Sequence, residues 1–547
     1  MPLAGPFDTH DVFNQTPPLV GYDVFGADRA LSEAVDREGA SWARPELAEL
    51  GRAAGSAEFQ ELGRLANEHE PVLHTHDRYG NRIDVVEYHP AYHQLMTSAI
   101  NHGLHAGPWT EPRPGAHVAR AAKVIVWYQV DAGHICPVSM TYAVVPALRH
   151  QPEVAAAWEP KIGSTSYDPA NRPVAEKAGV ICGMALTEKQ DGSDVRANTT
   201  RAEATGGGDY ALTGHKWFCS APMSDAFLML AQAPGGISCF LTPRWRDDGT
   251  RNPIRIQRLK DKLGDRSNAS SEIELAGVSA RLIGEEGGGI RTIIEMVNHT
   301  RLDCVLGSAA IMRQGVSQAT WHATHRTAFG TRLAEQPLMT NVLADLALES
   351  EAATVSALRL ARAYDAPPDD EHEALIRRLL TPVIKYYTCK RAPQHAAEAL
   401  ECLGGNGFVE ESGMPRLLRQ SPVNGVWEGS GNVICLDVLR VLTREPRAIE
   451  AYWSEVARAD TGDARLARAI DDLHVDVAGP ETLEVRARSV VERLALVFQA
   501  SLLVRFAPRA VADAFCAARL AGPGAGVFGT LPPGADTAAI LARHAPV

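Results

Sequence analysis

The chain has 547 residues, 45% of them hydrophobic and 22% charged, and a formal net charge of −12. That length exceeds one simple core and predicts two to four domains, and the acidic balance excludes a nucleic-acid footprint over the whole chain while leaving room for a local patch. Nine scattered cysteines without a C-x-x-C pair exclude metal ribbons and a disulfide framework, and no run reaches the roughly 18 apolar residues of a membrane span.

A reduced, cytoplasmic setting is expected, because residues 1–19 lack the basic-then-apolar pattern of a signal segment. Residues 1–180 read as mostly helical. Leu31, Ala34, Val35 and Trp42 recur between charges in 26–43, helical spacing continues in 58–66, and 117–130 and 140–147 are longer apolar stretches. The segment is rich in histidine (His89, His93, His102, His105, His117), but without an H-E-x-x-H pair no metal site is expected.

The character changes near Val180. Segments 197–204 and 210–218 flank Thr205-Gly206-Gly207-Gly208-Asp209 and read as a hairpin, and 225–232, 237–243 and 254–259 read as further strands, so 181–285 is expected to be a small β-barrel or sandwich. Beyond Gly284 the pattern is helical again. Residues 290–325 form one long helical pattern, Met339, Val342, Leu343 and Leu346 share a helical face, and Pro367-Pro368-Asp369-Asp370 is a loop. Leu375, Ile376, Leu379, Leu380 and Val383 open another helix that ends at Gly404-Gly405, which makes a four-helix bundle of 286–443 the economical reading.

The last block, 444–547, holds 12 Arg, no Lys and 13 Asp plus Glu. Its segment 483–520 has a helical apolar pattern and 523–533 is rich in Gly and Pro. Any phosphate contact here falls to arginine forks.

One turn carries chemistry: Val426-Trp427-Glu428-Gly429-Ser430-Gly431-Asn432. Gly429 and Gly431 allow φ > 0 and a close approach to a planar ligand, and Ser430 and Asn432 add hydrogen-bonding groups. Trp427 supplies an apolar wall that would raise the Glu428 pKa, as suits a general base. The alternative is a helix N-terminus in which Glu428 only favours the dipole.

Six motifs stand in a set order. They are Met184-Ala185-Leu186-Thr187-Glu188-Lys189-Gln190-Asp191-Gly192-Ser193-Asp194, Gly214-His215-Lys216-Trp217-Phe218-Cys219-Ser220, Lys262-Leu263-Gly264-Asp265-Arg266-Ser267, Arg326-Thr327-Ala328-Phe329-Gly330, the Leu403-Gly404-Gly405-Asn406-Gly407-Phe408 stretch and Trp427-Glu428-Gly429-Ser430. In this order they resemble the acyl-CoA dehydrogenase superfamily over residues 115–443. The N-terminal Asp11-Val12-Phe13-Asn14-Gln15, the Glu61-Leu62-Gly63-Arg64-Leu65-Ala66-Asn67 stretch, Arg266-Ser267-Asn268-Ala269-Ser270 and the extra C-terminal block are similar to its AidB-like branch, linked to adaptation to alkylation.

The resemblance implies an α+β, mainly α fold: an N-terminal helical domain (1–180), a central β-barrel (181–285), a helical bundle with the FAD and the catalytic glutamate (286–443), and an extra C-terminal helical domain (444–547). It implies FAD contacts from Met184, Ala185, Leu186, Thr187, Glu188, Lys189, Gln190, Gly192 and Ser193. Phe218 would pack on the isoalloxazine, with Cys219 beside it and Ser220 near N5. Trp427, Gly429, Ser430 and Asn432 join the cofactor set.

Arg326 and Phe329 resemble residues that reach the FAD of a neighbouring subunit, which implies a homotetramer. Glu401 stands where the family has a glutamine, so adenine contacts are not carried over to it. Glu428 falls on the family's base, which removes the pro-R α-proton of an acyl-CoA while a β-hydride passes to flavin N5, and Arg301 resembles the arginine near that base. Nitroalkane oxidases use an aspartate there, so Glu428 argues against that activity.

The branch also implies binding of double-stranded DNA by the last block and protection under alkylation stress. Arg440 matches an arginine implicated in DNA contact, and equally one common across ordinary dehydrogenases. Arg444, Arg447, Arg486, Arg488, Arg493, Arg505, Arg509 and Arg519 are further candidates. Truncation at about Glu445 is expected to remove DNA binding and leave a folded flavoprotein. The alternative is a metabolic short- or branched-chain acyl-CoA dehydrogenase without a DNA role.

Overall fold

The computed structural model describes residues 9–459, 462–478, 483–521 and 526–546. Residues 523–525 of the Gly/Pro-rich stretch and the first eight of the N-terminal segment lie outside it.

The chain opens with α1 (Arg29–Arg37), α2 (Arg44–Ala54), α3 (Ala57–Glu68), a hairpin of β1 (Val72–His76) and β2 (Arg82–Glu87), then α4 (Pro90–Asn101), α5 (Gly107–Thr110), α6 (Ala116–Tyr128), α7 (Ile135–Leu148) and α8 (Pro152–Ile162). Local chemistry starts these helices: Asp28 accepts from the Leu31 N–H at 3.0 Å, and the Ser56 hydroxyl from the Phe59 N–H at 3.2 Å. The faces match the pattern, with Leu31, Ala34 and Val35 fully buried. The β1–β2 hairpin falls inside a segment expected to be helical. Its turn is set by Asp77, whose carboxylate takes the Tyr79 and Asn81 N–H groups at 2.8 and 2.9 Å.

The barrel consists of β3 (Cys182–Ala185), β4 (Arg201–Gly206), β5 (Asp209–Ser220), β6 (Ala226–Ala233), β7 (Gly236–Pro243), β8 (Ile254–Leu259) and β9 (Ser270–Ile283). The hydrogen-bonded path runs β3-β6-β4-β5-β9-β7, a β6–β7 pairing closes it, and β8 adds to β9. The expected hairpin is present as β4–β5, with Gly206, Gly207 and Gly208 at φ 114°, 63° and 89°. β9 falls in a stretch with no expected strand, because its polar opening, Ser270-Ser271-Glu272, hides the alternation behind it.

The bundle follows: α9 (Gly289–His325), a two-residue hairpin of β10 (Thr327–Ala328) and β11 (Thr331–Arg332), α10 (Pro337–Asp365), α11 (Glu371–Glu401), α12 (Gly405–Phe408), α13 (Met414–Gln420) and α14 (Gly431–Arg444). At 37 residues α9 is about 55 Å long. It packs on α6, α7, α10 and α11, so the bundle draws on helices from both sides of the barrel.

The last block contains α15 (Pro446–Ala457), α16 (Ala464–Ala478), α17 (Ala487–Phe506), α18 (Arg509–Phe515) and α19 (Thr537–His544). It shares one continuous hydrophobic core with the bundle: α17, with Val490, Leu494, Phe498 and Leu502 fully buried, packs against α10, α11 and α14. Ion pairs stitch the seam. Arg359 grips Glu373 at 2.9 Å and Glu455 at 3.1 Å, Arg519 meets Asp345 at 2.5 Å and Glu349 at 3.0 Å, and Arg543 and His544 both bind Glu351.

This corrects two expectations. Several arginines assigned to a DNA face have partners within the chain: Arg519 is buried, Arg505 pairs with the buried Glu455 at 2.9 Å, and the partly exposed Arg486 and Arg493 pair with Asp476. The expected independence of everything before Glu445 is also reversed, since the bundle and the block bury apolar surface on each other.

Candidate active site

Glu428 sits in the loop leading into α14, at φ 57°, a left-handed conformation that costs a non-glycine residue on the order of 1–3 kcal/mol. Two buried cations hold it there. Lys385 of α11 donates to the carbonyls of Trp427 at 2.9 Å and Gly429 at 2.5 Å, and Arg301 of α9 donates from Nε to the carbonyl of Glu428 at 3.0 Å. Three successive carbonyls are thereby turned inward. Arg301 is fixed in turn by Asp437 of α14 at 2.8 Å.

The Glu428 side chain accepts from the Thr300 hydroxyl at 2.8 Å. Burial raises its pKa above the ordinary carboxylate value; the Thr300 hydrogen bond and the charges of Arg301 and Lys385 pull it part of the way back. This is a carboxylate poised to take a proton. Trp427 is held by its own Nε1, which donates to Asn424 at 3.0 Å.

The pH dependence follows from these partners. Activity that needs ionised Glu428 should rise with pH through a pKa above the ordinary carboxylate range. Thr300→Val removes a donor to the charged form, so the acid limb of a kcat/KM profile should move to higher pH. An acid limb that moved down or stayed in place would mean that Thr300 does not tune the base.

The barrel motifs converge on the same place. The Trp217 N–H donates to the Thr187 carbonyl at 2.8 Å, joining the loop after β3 to β5. Phe218 stands half-exposed on β5, and Ser220 follows at the strand end. Cys136 of α7 has its thiol pushed up by burial; the Ser220 hydroxyl pulls it part of the way back and the Glu428 charge adds to the rise.

The other expected contacts divide. Ala185, Glu188 and Cys219 have buried side chains, so only their backbone can face a ligand. Glu188 is a structural group: burial favours its neutral form, but Lys216 at 2.8 Å and the Thr199 and Thr200 donors outweigh that and keep it ionised. Met184 and Leu186 are partly buried against the apolar cluster that Cys136 also touches. Lys189 is exposed and gives its N–H to His215, and Gln190 bonds back to Glu188 at 2.8 Å.

Asp191 folds the next turn by taking the Ser193 N–H at 2.7 Å. A Cβ on Gly192 would lie 3.0 Å from the Thr187 side chain, so glycine lets this loop close on Thr187. Gly429, at φ 105°, continues the Glu428 turn, and Ser430 is exposed at the start of α14. Asn432 turns away to the last block, where it accepts from Arg488 at 2.9 Å. Phe329, at the tip of the β10–β11 hairpin, is 98% exposed, and Arg326 lies at its base.

Thr300, Lys385, Asp437 and Cys136 escaped the sequence reading as site residues. Only Thr300 had a local signal, as the neighbour of Arg301; the others are brought in by helix packing.

Three family models match in sequence order: the adaptive response protein AidB N-terminal domain over residues 14–169, the acyl-CoA dehydrogenase middle domain over 183–278, and the acyl-CoA dehydrogenase C-terminal domain over 287–443. The putative acyl-CoA dehydrogenase AidB of Escherichia coli (strain K12) is 46% identical over 512 residues, 93% of this chain and 94% of that one. The chain belongs to the AidB branch of the acyl-CoA dehydrogenase superfamily.

Among solved structures, Caenorhabditis elegans ACDH-11 in complex with C11-CoA superposes with a TM-score of 0.85 at 26% identity, covering 93% of each chain. The apo form of Bd2924 gives 0.83 at 27%, covering 91% of this chain and 100% of that one. Acyl-CoA dehydrogenases are FAD-dependent oxidoreductases of CH–CH bonds, and this chain is one by membership. The residues present fit the flavin. A large ring left half-bare on β5 beside Thr187 and Ser220 matches one apolar face with a polar edge, and the exposed Phe329 hairpin offers a second aromatic. Among the described residues no helix is long and apolar enough to cross a membrane.

Proposed function

We propose that the protein catalyses α,β-dehydrogenation of an acyl-CoA thioester, with Glu428 as the base. The observation that carries this reading is the half-buried Glu428 carboxylate at the entry to α14, held by the Thr300 hydroxyl of α9, with its pKa raised by desolvation. A thioester carbonyl acidifies the α-C–H, and a desolvated carboxylate is a stronger base toward it than one in water. Lys385 and the Nε of Arg301 bond backbone carbonyls, and the other arm of Arg301 bonds Asp437, so the two cations fix the turn and leave the Glu428 carboxylate free to accept the proton. Thr187, Ser193, Phe218 and Ser220 would hold FAD, which supplies the acceptor for the β-hydride when bound.

The C11-CoA bound to the Caenorhabditis elegans neighbour supports an acyl-CoA as the substrate class. A homotetramer in a cytoplasmic setting belongs to the same reading, with Arg326 and Phe329 serving the flavin of a neighbouring copy. Anaerobic bleaching of the flavin absorbance by acyl-CoA thioesters of graded chain length tests it. A folded, yellow protein that no thioester bleaches would overturn it.

A second reading, binding of duplex DNA with protection under alkylation stress, rests on the AidB likeness and on one corner of the surface. Where α14 meets α15, Arg440, Arg444 and Arg447 are all exposed. Arg440 reaches Asp437 only at 3.5 Å, while Arg447 is paired with Glu371. Contacts of this kind are to the phosphate backbone, so affinity should fall steeply with salt, and Arg440→Ala should weaken all duplexes about equally while lowering the salt slope by about 1. Mobility shifts across a salt series check this. Identical slopes for the variant and the parent would remove Arg440 from the contact.

A further inference from the structure

The N-terminal motif Asp11-Val12-Phe13-Asn14-Gln15 takes no part in the chemistry above, yet it and the two residues after it are tied to the end of α9 and the hairpin beyond by five hydrogen bonds. Asn14 Nδ2 donates to the Thr327 carbonyl at 2.8 Å, and the Thr327 N–H donates to Asn14 Oδ1 at 2.8 Å, so the side-chain amide copies a β-bridge. Thr16 shares a hydrogen bond with His322 at 3.1 Å, and Trp321 Nε1 donates to the Pro17 carbonyl at 2.7 Å. Asn14 is at φ 54°, a left-handed conformation that asparagine tolerates better than most residues. In that conformation its own carbonyl accepts from the Arg326 guanidinium.

We propose that Asn14 is a positioning residue for Arg326: the strap 14–17 clamps the Arg326–Phe329 hairpin and fixes the guanidinium through one nitrogen, leaving the rest of the fork directed at the FAD diphosphate of a neighbouring copy. This rests on the reading that Arg326 serves the flavin. The physical reason is preorganisation. A free arginine loses several rotatable bonds when it grips a phosphate, whereas one already held at NH1 loses few, and the planar fork keeps its other donors available.

The strap also lies beside two exposed rings, Phe13 at 78% and Phe329 at 98%. The clamp fixes the backbone beside each ring.

The test is a double-mutant cycle on the full-length apoprotein, reading the Kd for FAD by quenching of flavin fluorescence. Asn14→Gly keeps the backbone conformation and the carbonyl but removes the amide clamp. Arg326→Ala should weaken FAD binding by about tenfold or more, the scale of a lost charge-assisted bond. Asn14→Gly should weaken it by about fivefold in the parent and by less than about twofold when Arg326 is already alanine, because the two act as one unit.

Equal losses in both backgrounds would make the strap merely structural and overturn the proposal. No loss in the parent, with Arg326→Ala still impaired, would overturn it too while sparing the role of Arg326. Unchanged affinity in Arg326→Ala would instead overturn the underlying reading.

Discussion

Glu428→Gln should lower α,β-dehydrogenation by about 10²- to 10⁴-fold, the range for a lost general base. Glutamine keeps the shape and can still accept from the Thr300 hydroxyl, so the turn held by Lys385 and Arg301 has no reason to move. The flavin should be retained, because the Glu428 carboxylate is not among the groups that would hold it.

Stability should not fall either, and the sign follows from the raised pKa. A carboxyl whose folded pKa lies above its unfolded value contributes stability that is complete below the unfolded pKa and is lost as pH rises through the folded one. Once the pH has passed the folded pKa, the ionised side chain is therefore a cost of folding that a neutral amide removes. Stopped-flow reduction of the flavin under saturating thioester, beside a thermal melt, measures both halves. Reduction at the parental rate would show that another group takes the proton.

The second large effect concerns the seam between the bundle and the last block. Arg519→Ala should destabilise the fold by about 3–5 kcal/mol, the scale for removing one partner of a buried ion pair. Its guanidinium bonds Asp345 and Glu349 of α10, both nearly inaccessible, and Asp345 would be left buried without its cation. Truncation at about Glu445 goes further. It uncovers the apolar faces of α10 and α11 that α17 covers, so no folded flavoprotein should be recovered. Denaturant melts of the variant and solubility of the truncated chain check this. A truncated protein that is soluble, yellow and melts cooperatively would mean that the shared core is dispensable.

Much of this was legible in the chain. The long helical pattern of 290–325 is α9, the glycine loop at 205–209 is the β4–β5 turn, and the six motifs in order carried the family. Such features are local, or combine short signals along one dimension. What escaped is tertiary. Lys385 carries no motif and reaches the Glu428 turn only because α11 packs beside α9 and α14. The arginines of the last block looked available because composition counts charges without their partners; Glu455, Asp345 and Asp476 take Arg505, Arg519 and Arg493. The left-handed Glu428 was also invisible, since the adjacent glycine attracted the positive φ in the reading while the structure gives it to both.

α9 carries three parts of the molecule on one uninterrupted rod. Its first residue abuts β7, its fourth turn brings Thr300 and Arg301 to the base, and its last turn delivers Arg326 and the hairpin beyond. Each residue in a helix turns the chain by about 100° and advances it by about 1.5 Å. One residue inserted between Leu302 and Thr320 would swing Arg326 by that angle relative to Arg301, and no loop lies between them to absorb it. The length of this stretch is therefore inheritable only as a fixed count. A change of length fits instead into turns such as 205–209 and 366–370, where the chain is not helical, while between the base and the hairpin only an exchange of side chains keeps the phase.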